Sequence, residues 1–263
     1  MASPTFISFI GSGNLAWHLA PALDNAGFVI KEVHSLNPNH ASELTNRLYQ
    51  AEVKATLDFS TSDSSIFIIA TSDDAIESIA QEIILPEDAF LVHTSGSQPL
   101  SILQFAATSN TGVLYPLQTF TKTKKIDFKD TPIFIESNNI ETEQVLMLLA
   151  NAISNKVSKI GSEERKALHI AAVFASNFTN HMLTLSKKIL EQNSLSFELL
   201  KPLIAETIQK SLSVGPENAQ TGPAKRGDLE ILDKHLEFIK DDLALAEIYK
   251  LVSQDILNRY QTE

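Results

Sequence analysis

Residues 6–10, Phe-Ile-Ser-Phe-Ile, form an apolar run that stops at Gly11-Ser12-Gly13. Helical spacing follows at once, with Leu15, Ala16, Leu19, Ala20 and Leu23 on one face. The pattern predicts a strand, a tight glycine turn and a helix. Further apolar runs at 28–34, 65–70, 89–93, 112–119 and 132–136 read as strands, and helical spacing at 41–51, 75–84 and 142–152 separates them. Alternation of this kind predicts an α/β fold built on a doubly wound, mainly parallel sheet. From Ser162 onward the strand pattern is gone, and the spacing predicts a long helix from Ser162, then helices at 197–212, 229–238 and 241–259. The chain therefore divides into an N-terminal domain, 1–158, and a smaller all-helical domain, 159–263.

The turn after the first strand has the spacing G-x-G-x-x-A, from Gly11 to Ala16. Gly11 permits the turn, Gly13 lets a phosphate approach the backbone, and Ala16 lets the helix pack closely on the strand. The first N–H groups of the helix have no partner within it, and the aligned peptide dipoles leave about +0.5 charge there. A pyrophosphate supplies both the acceptors and the negative charge, so Gly11, Ser12, Gly13, Asn14 and Leu15 are read as dinucleotide-binding. Ligands of doubly wound sheets lie beyond the C-terminal ends of the strands. The polar segments there add Ser35 and Asn37 after the second strand, Thr71, Ser72 and Asp73 after the third, and His93 and Thr94 after the fourth. The second strand ends at His34 with no carboxylate at its tip to grip a ribose or repel a 2′-phosphate. NADP is therefore favoured over NAD, which stays the alternative because no arginine is present there either.

Composition narrows the class. The 263 residues carry 21 Lys and Arg against 32 Asp and Glu, a net charge of −11, with no basic cluster. That argues against a nucleic-acid or membrane-surface partner and leaves a small-molecule substrate. There is no cysteine, which removes thiolate chemistry and fits a reducing compartment. Seven histidines are scattered without metal-ligand spacing, so no metal site is expected. The N-terminus lacks the pattern of a secretory leader and no apolar run approaches 18 residues, so a cytoplasmic protein is expected.

Counted at 100° per residue, the helix from Ser162 carries one apolar stripe through Ala167, Ala171, Phe174, Phe178, Met182, Leu185 and Ile189. Its other side holds Lys166, His169, Ser176, Asn177, Asn180 and Thr184, short donors and acceptors suited to the mouth of a cleft. Gly215, Gly222 and Gly227 stand with Pro216 and Pro223 in one loop of a chain that has only nine glycines, which implies a fixed backbone path. Lys225 and Arg226 in that loop make a local basic spot. It is suited to a substrate carboxylate or to phosphate, with an Arg226–Asp228 pair as the structural alternative.

Five motifs occur together and in order: G-S-G-N-L-A, H-T-S-G-S, Y-P-L-Q-T-F, A-S-N and T-G-P-A-K-R-G-D. The set resembles Rossmann-like proteins with a C-terminal DUF2520 domain. More distantly it is similar to the superfamily of pyrroline-5-carboxylate reductase, F420-dependent NADP reductase, 3-hydroxyisobutyrate dehydrogenase and ketopantoate reductase. The resemblance implies an oxidoreductase with an N-terminal NAD(P) domain and a helical domain that dimerises and lines the active site, and ketopantoate is the substrate it suggests first. It also leaves F420 open in place of nicotinamide. The Lys four residues before Asn that 3-hydroxyacid dehydrogenases use is absent, since Lys166 is followed at that distance by Ile170. Tyr115 stands where the family commonly has His before the Pro of P-L-Q-T-F.

On this reading the protein transfers a hydride between NADP and a small carbonyl compound or 2-oxo acid. Histidine's ordinary pKa near 6.5 suits proton transfer at neutral pH, so His169 is the candidate acid, with Lys166 the runner-up. Ser95 and Asn177 orient the carbonyl or the carboxamide, and Lys225 or Arg226 holds a carboxylate. Leu243, Ile248, Leu251, Val252 and Ile256 exceed what a small bundle needs, so a homodimer through the helical domain is expected. The alternative of a different class is a non-catalytic NAD(P) sensor or partner-docking protein.

Overall fold

The protein, in a computed structural model, is described over residues 5–260. It begins with alternating strands and helices: β1 (Phe6–Ile10), α1 (Asn14–Asn25), β2 (Val29–His34), α2 (Pro38–Thr45), β3 (Glu52–Lys54), β4 (Ile66–Ile69), α3 (Ile76–Glu82), β5 (Phe90–His93), β6 (Asn110–Pro116), β7 (Ile133–Ser137), α4 (Ile140–Ile153) and β8 (Val157–Lys159). One eight-stranded sheet in the order β3-β2-β1-β4-β5-β6-β7-β8 contains all of them. Every neighbouring pair is parallel except β6 and β7. The α/β, mainly parallel sheet read from the strand–helix alternation is the one present.

Strand periodicity explains the layering. Side chains alternate across a strand, so a continuous apolar strand feeds two cores. Ile66 and Ile68 join a core with α1, α2 and α4, whereas Phe67 and Ile69 join a second with Phe59, Ile76, Ala80 and Leu103. Phe59 and Phe67 meet edge-on with centroids 5.1 Å apart. Two three-residue strands, β3 and β8, escape the periodicity reading because each is too short and too polar to carry an apolar signal. The helix expected at 41–51 instead starts at Pro38 and ends at Thr45. Asn37 caps it, its side-chain oxygen accepting the Asn39 N–H at 3.0 Å.

The C-terminal half is helical: α5 (Ser162–Ala172), a π-helical turn (Val173–Phe178), α6 (Thr179–Gln192), α7 (Lys201–Val214), two short turns α8 (Pro216–Ala219) and α9 (Pro223–Arg226), α10 (Leu229–Phe238) and α11 (Leu243–Tyr260). Gly215, Gly222 and Gly227 join these short turns, each at positive φ. The π turn breaks the 100° count, so the expected single stripe does not form. Phe174 and Phe178 are exposed, while Met182, Leu185 and Ile189 face a cavity of about 320 Å³ with Leu232, Leu245 and Ile248. By packing the chain divides into two compact units, Met1–Asn177 and Phe178–Glu263, so that the boundary in sequence falls within the π turn and α5 belongs with the sheet. Among the described residues no helix is long and apolar enough to cross a membrane.

Phe67 is fully buried, so Phe67→Ala is expected to cost about 3–5 kcal/mol of stability. A urea titration that finds less than about 1 kcal/mol would refute the packing described for this layer.

Candidate functional site

The C-terminal ends of β1, β2, β4 and β5 open onto a cavity of about 920 Å³. Gly11 turns the chain out of β1 at φ +111°, and a Cβ there would lie 2.3 Å from the Ala70 carbonyl oxygen, so only glycine fits. Gly13 occupies the N-cap of α1 with no side-chain cap, and the first turn of the helix holds no acidic residue. A Cβ on Gly13 would meet only Ala70 O, at 3.9 Å. The leading N–H groups of α1 thus lack a side-chain acceptor and border open cavity, a cradle that fits a phosphate. Ser12, Asn14 and Leu15 line the same cavity, and Ser12 Oγ donates to Ser35 Oγ at 3.0 Å.

The other strand ends are partly as expected. Ser35, Thr71, Ser72, Asp73, Thr94 and Ser95 line the cavity. Asn37 does not, because its side chain caps α2, and His40, one turn into that helix, lines the cavity instead. His93 does not reach the cavity either. It is fully buried, and its Nδ1 accepts the Ser95 N–H at 3.2 Å. Burial, reinforced by the positive charge of Arg165, pushes its pKa down to about 3. His93 is therefore a neutral support beneath the turn. Ser95 Oγ is also committed, accepting the N–H groups of Ser97 at 3.1 Å and Gln98 at 3.0 Å. It shapes the turn, and Ser97 in turn donates to Asp73.

A part-buried polar contact at this edge joins Tyr115, near the end of β6, to His169 on α5. Tyr115 Oη lies 3.1 Å from His169 Nδ1, with the rings tilted 67°. Gly96 makes this possible: a Cβ there would lie 2.6 Å from His169 Nδ1 and 2.7 Å from Tyr115 Cζ. Burial pushes the Tyr115 pKa above its ordinary 10, so the phenol keeps its proton at neutral pH. Both side chains line the phosphate cavity and also a second cavity of about 700 Å³, which includes Gln118, Phe120 and Asn177.

Arg165 holds α5 in this position. Its side chain is 1% exposed and pairs with Glu136 of β7, and it also donates to the Gln98 carbonyl. Ser162 Oγ lies 2.9 Å from both Glu136 carboxylate oxygens and accepts the Leu100 N–H at 3.1 Å. His93, Val113 and Glu136 stand opposite one another across β5, β6 and β7, so they share a face of the sheet. That register brings Arg165 close enough to His93 to act on its charge. Arg165 and His169 lie four apart on α5 and so share a face of the helix.

Tyr115, Arg165 and Glu136 were not among the sequence candidates. The four-residue spacing of Arg165 and His169 was visible, but their burial was not. Lys166 is exposed and lines neither cavity, so the expected runner-up acid stands apart from the Tyr115–His169 pair. Lys225 and Arg226 lie in the helical unit, where each is held by neighbours. Lys225 Nζ donates to the Gln220 carbonyl at 2.9 Å and sits over the Tyr260 ring, and Arg226 pairs with Asp228 at 2.8 Å.

Residues 131–256 match the family described as a domain of unknown function, DUF2520. No curated protein matches the chain. Among solved structures it is similar to BF3122 from Bacteroides fragilis, provisionally named an NADP oxidoreductase. The two are 39% identical, with 97% of this chain and 98% of that one covered at a TM-score of 0.89. The protein TM1727 from Thermotoga maritima is 23% identical over 97% of this chain and 98% of its own, at a TM-score of 0.70. A reductive aminase from Aspergillus terreus, solved with NADPH and ethyl levulinate, shares 12% identity over 98% of this chain and 95% of its own, at a TM-score of 0.71. The last two likenesses establish the fold.

The buried His93 makes a pH prediction. Its pKa of about 3 in the folded chain lies below the ordinary 6.5, so below pH 6.5 the unfolded chain binds a proton that the folded chain refuses. Its contribution to stability is whole above pH 6.5 and is lost as pH falls toward 3, at up to about 1.4 kcal/mol per pH unit. Between pH 7 and 5 the wild type is expected to lose roughly 2 kcal/mol more than His93→Asn in urea unfolding. Equal losses would overturn the assignment.

Proposed function

Because the chain belongs to one family with BF3122 and carries a DUF2520 domain at residues 131–256, we propose that it is an NADP-dependent oxidoreductase transferring a hydride to or from a small carbonyl compound. One observation carries the reading. The uncapped N-terminus of α1 and the Tyr115–His169 pair border the same open cleft of about 920 Å³, so a cradle suited to phosphate and a pair able to donate a proton share one space. The provisional name of BF3122 supports the same class and the choice of NADP. No carboxylate stands among His34, Ser35, Leu36 and Asn37, where one would repel a 2′-phosphate.

The residues divide the work as follows. The Gly11–Leu15 segment holds the pyrophosphate at the helix N-terminus. Ser35 and His40 border the adenosine end. When bound, the reduced nicotinamide supplies a hydride to the carbonyl carbon. The carbonyl oxygen then needs a proton, and the Tyr115 phenol, still protonated at neutral pH, donates to it. His169 Nδ1 lies 3.1 Å from the phenol oxygen; in the tautomer that carries a proton there, it returns that proton to the phenolate as its Nε2 takes one from water, so the pair works as a relay. Arg165 keeps α5, and with it His169, against the sheet.

NADPH at about 100 times its dissociation constant should raise stability by roughly 2.7 kcal/mol, a melting shift of about 5–10 °C at this size, with a smaller shift for NADH. Tyr115→Phe and His169→Gln should keep the NADPH shift yet lower carbonyl turnover about 10²- to 10⁴-fold. No shift with either nucleotide would remove the basis of the proposal. A normal shift with no turnover on a panel of ketones, aldehydes and 2-oxo acids would favour a nucleotide sensor.

The helical unit also presents apolar side chains to solvent, including Leu203 and Leu212 on α7 and Leu243 and Leu251 on α11. Ile248, Val252 and Ile256 of the expected dimer face line the cavity of about 320 Å³ in that unit. We propose that the outward set pairs two copies of the chain. Sedimentation equilibrium at micromolar concentration should give a dimer, which Leu243→Glu combined with Leu251→Glu should split, and a monomeric wild type would refute the pairing.

A further inference from the structure

We propose that the second cavity of the sheet unit is the substrate pocket, and that it takes a neutral carbonyl compound rather than a 2-oxo acid. The inference rests on the oxidoreductase reading above and specifies its substrate. The cavity of about 700 Å³ meets the phosphate cavity at Tyr115 and His169, which line both. A carbonyl in the second cavity therefore reaches the Tyr115–His169 pair that both cavities share. Its oxygen takes the proton from Tyr115 O–H as the carbonyl carbon takes the hydride. The C=O π pair ends on oxygen, the carbonyl is reduced to an alcohol and NADPH becomes NADP⁺.

The chemistry of the walls selects the class. No Lys, Arg, Asp or Glu lines this cavity. Its polar groups besides the relay are Gln118, Thr119, Ser176 and Asn177. Gln118 Oε1 accepts the Thr119 N–H at 2.8 Å, which leaves its amide N–H groups as the donors it has to offer. The cations nearest in sequence are Lys122, Arg165 and Lys166: Lys122 lines only the first cavity and lies 3.5 Å from Glu43 and over the Trp17 ring, Arg165 is spent on Glu136, and Lys166 lines neither cavity. A carboxylate in this open groove gains no counter-charge from its walls, whereas a ketone or aldehyde needs none. The net charge of −11 works in the same direction.

The π turn supplies the room. Val173–Phe178 is wound more widely than α5 and α6, and it adds Ala175 and Ser176 to a wall that already holds Ala171 and Ala172. Small side chains along a widened turn leave space for an alkyl or aryl body beside the Tyr115–His169 pair, with Asn177 also in the wall.

Matched pairs test this with the full-length protein: 2-oxobutyrate against its ethyl ester, and phenylglyoxylate against acetophenone. Saturation-transfer NMR without nucleotide reads binding, and NADPH oxidation reads turnover. The neutral member of each pair should bind at least about tenfold more tightly and turn over with at least about tenfold higher kcat/KM. Ala175→Phe should abolish the NMR signal of the neutral ligands while leaving the NADPH melting shift intact. Ser176→Lys, at a position on the cavity wall, should narrow or reverse the preference toward the acids. Equal or tighter binding of the acids overturns the proposal, and so does binding of neither class or indifference to Ala175→Phe. A missing NADPH shift alongside normal neutral-ligand binding refutes the oxidoreductase reading and leaves the preference of the pocket standing.

Discussion

A guanidinium that is 1% exposed must find partners for its charge, and Arg165 finds them in three places at once: Glu136 on β7, the Gln98 carbonyl on the turn after β5, and Ser162 at the start of its own helix. Breaking a buried pair of this kind typically costs about 3–5 kcal/mol, because the remaining charge is stranded. The requirement ties α5 to the sheet, and the other features of the site follow from that attachment. His169 arrives one helical turn later, opposite Tyr115. Gly96 has to lack a side chain because the two rings meet across it. His93, fully buried on the same face, has to stay neutral.

The one antiparallel pair in the sheet serves this arrangement. β6 runs with β5 and brings Tyr115 to the edge where β1, β4 and β5 end. β7 returns from that edge and places Glu136 beside Val113, in register with His93. Charge is thus sorted across the sheet. The N-terminus of α1 is free of acids in its first turn, the Tyr115–His169 pair lines both cavities, and Arg165, which fastens α5, is neutralised by Glu136. Backbone donors and the helix dipole at α1 favour an anion, and among the described residues the second cavity has no Lys, Arg, Asp or Glu in its walls.

The sequence contained the strand–helix alternation, the glycine turn and the polar ends of the strands, because those signals are local. Periodicity and turn chemistry depend on residues a few positions apart. His169 was legible in the same way, as a short polar side chain on a helix otherwise apolar on one side. Asn37 and Ser95 were read as ligand contacts because the residue types that bind ligands at strand ends are also those that cap helices and close turns. Only the hydrogen-bond partners distinguish the two uses, and here Asn39 N–H, Ser97 N–H and Gln98 N–H take them.

By itself, then, the sequence determined the α/β class, the glycine turn after β1 and the helical character of the second half, each set by the spacing of apolar, small and glycine residues. Tertiary structure alone decided which polar side chains meet. Tyr115 and His169 are 54 residues apart and Arg165 and Glu136 are 29 apart, separations at which no periodicity carries information. It also decided the phase of the helix beyond residue 172, because the π turn adds width that a count at 100° per residue does not contain. Burial turns an ordinary arginine into the fastening of a site and an ordinary histidine into an uncharged support. Burial belongs to the packed molecule, since the cost of removing charge from water arises only where other elements close over it.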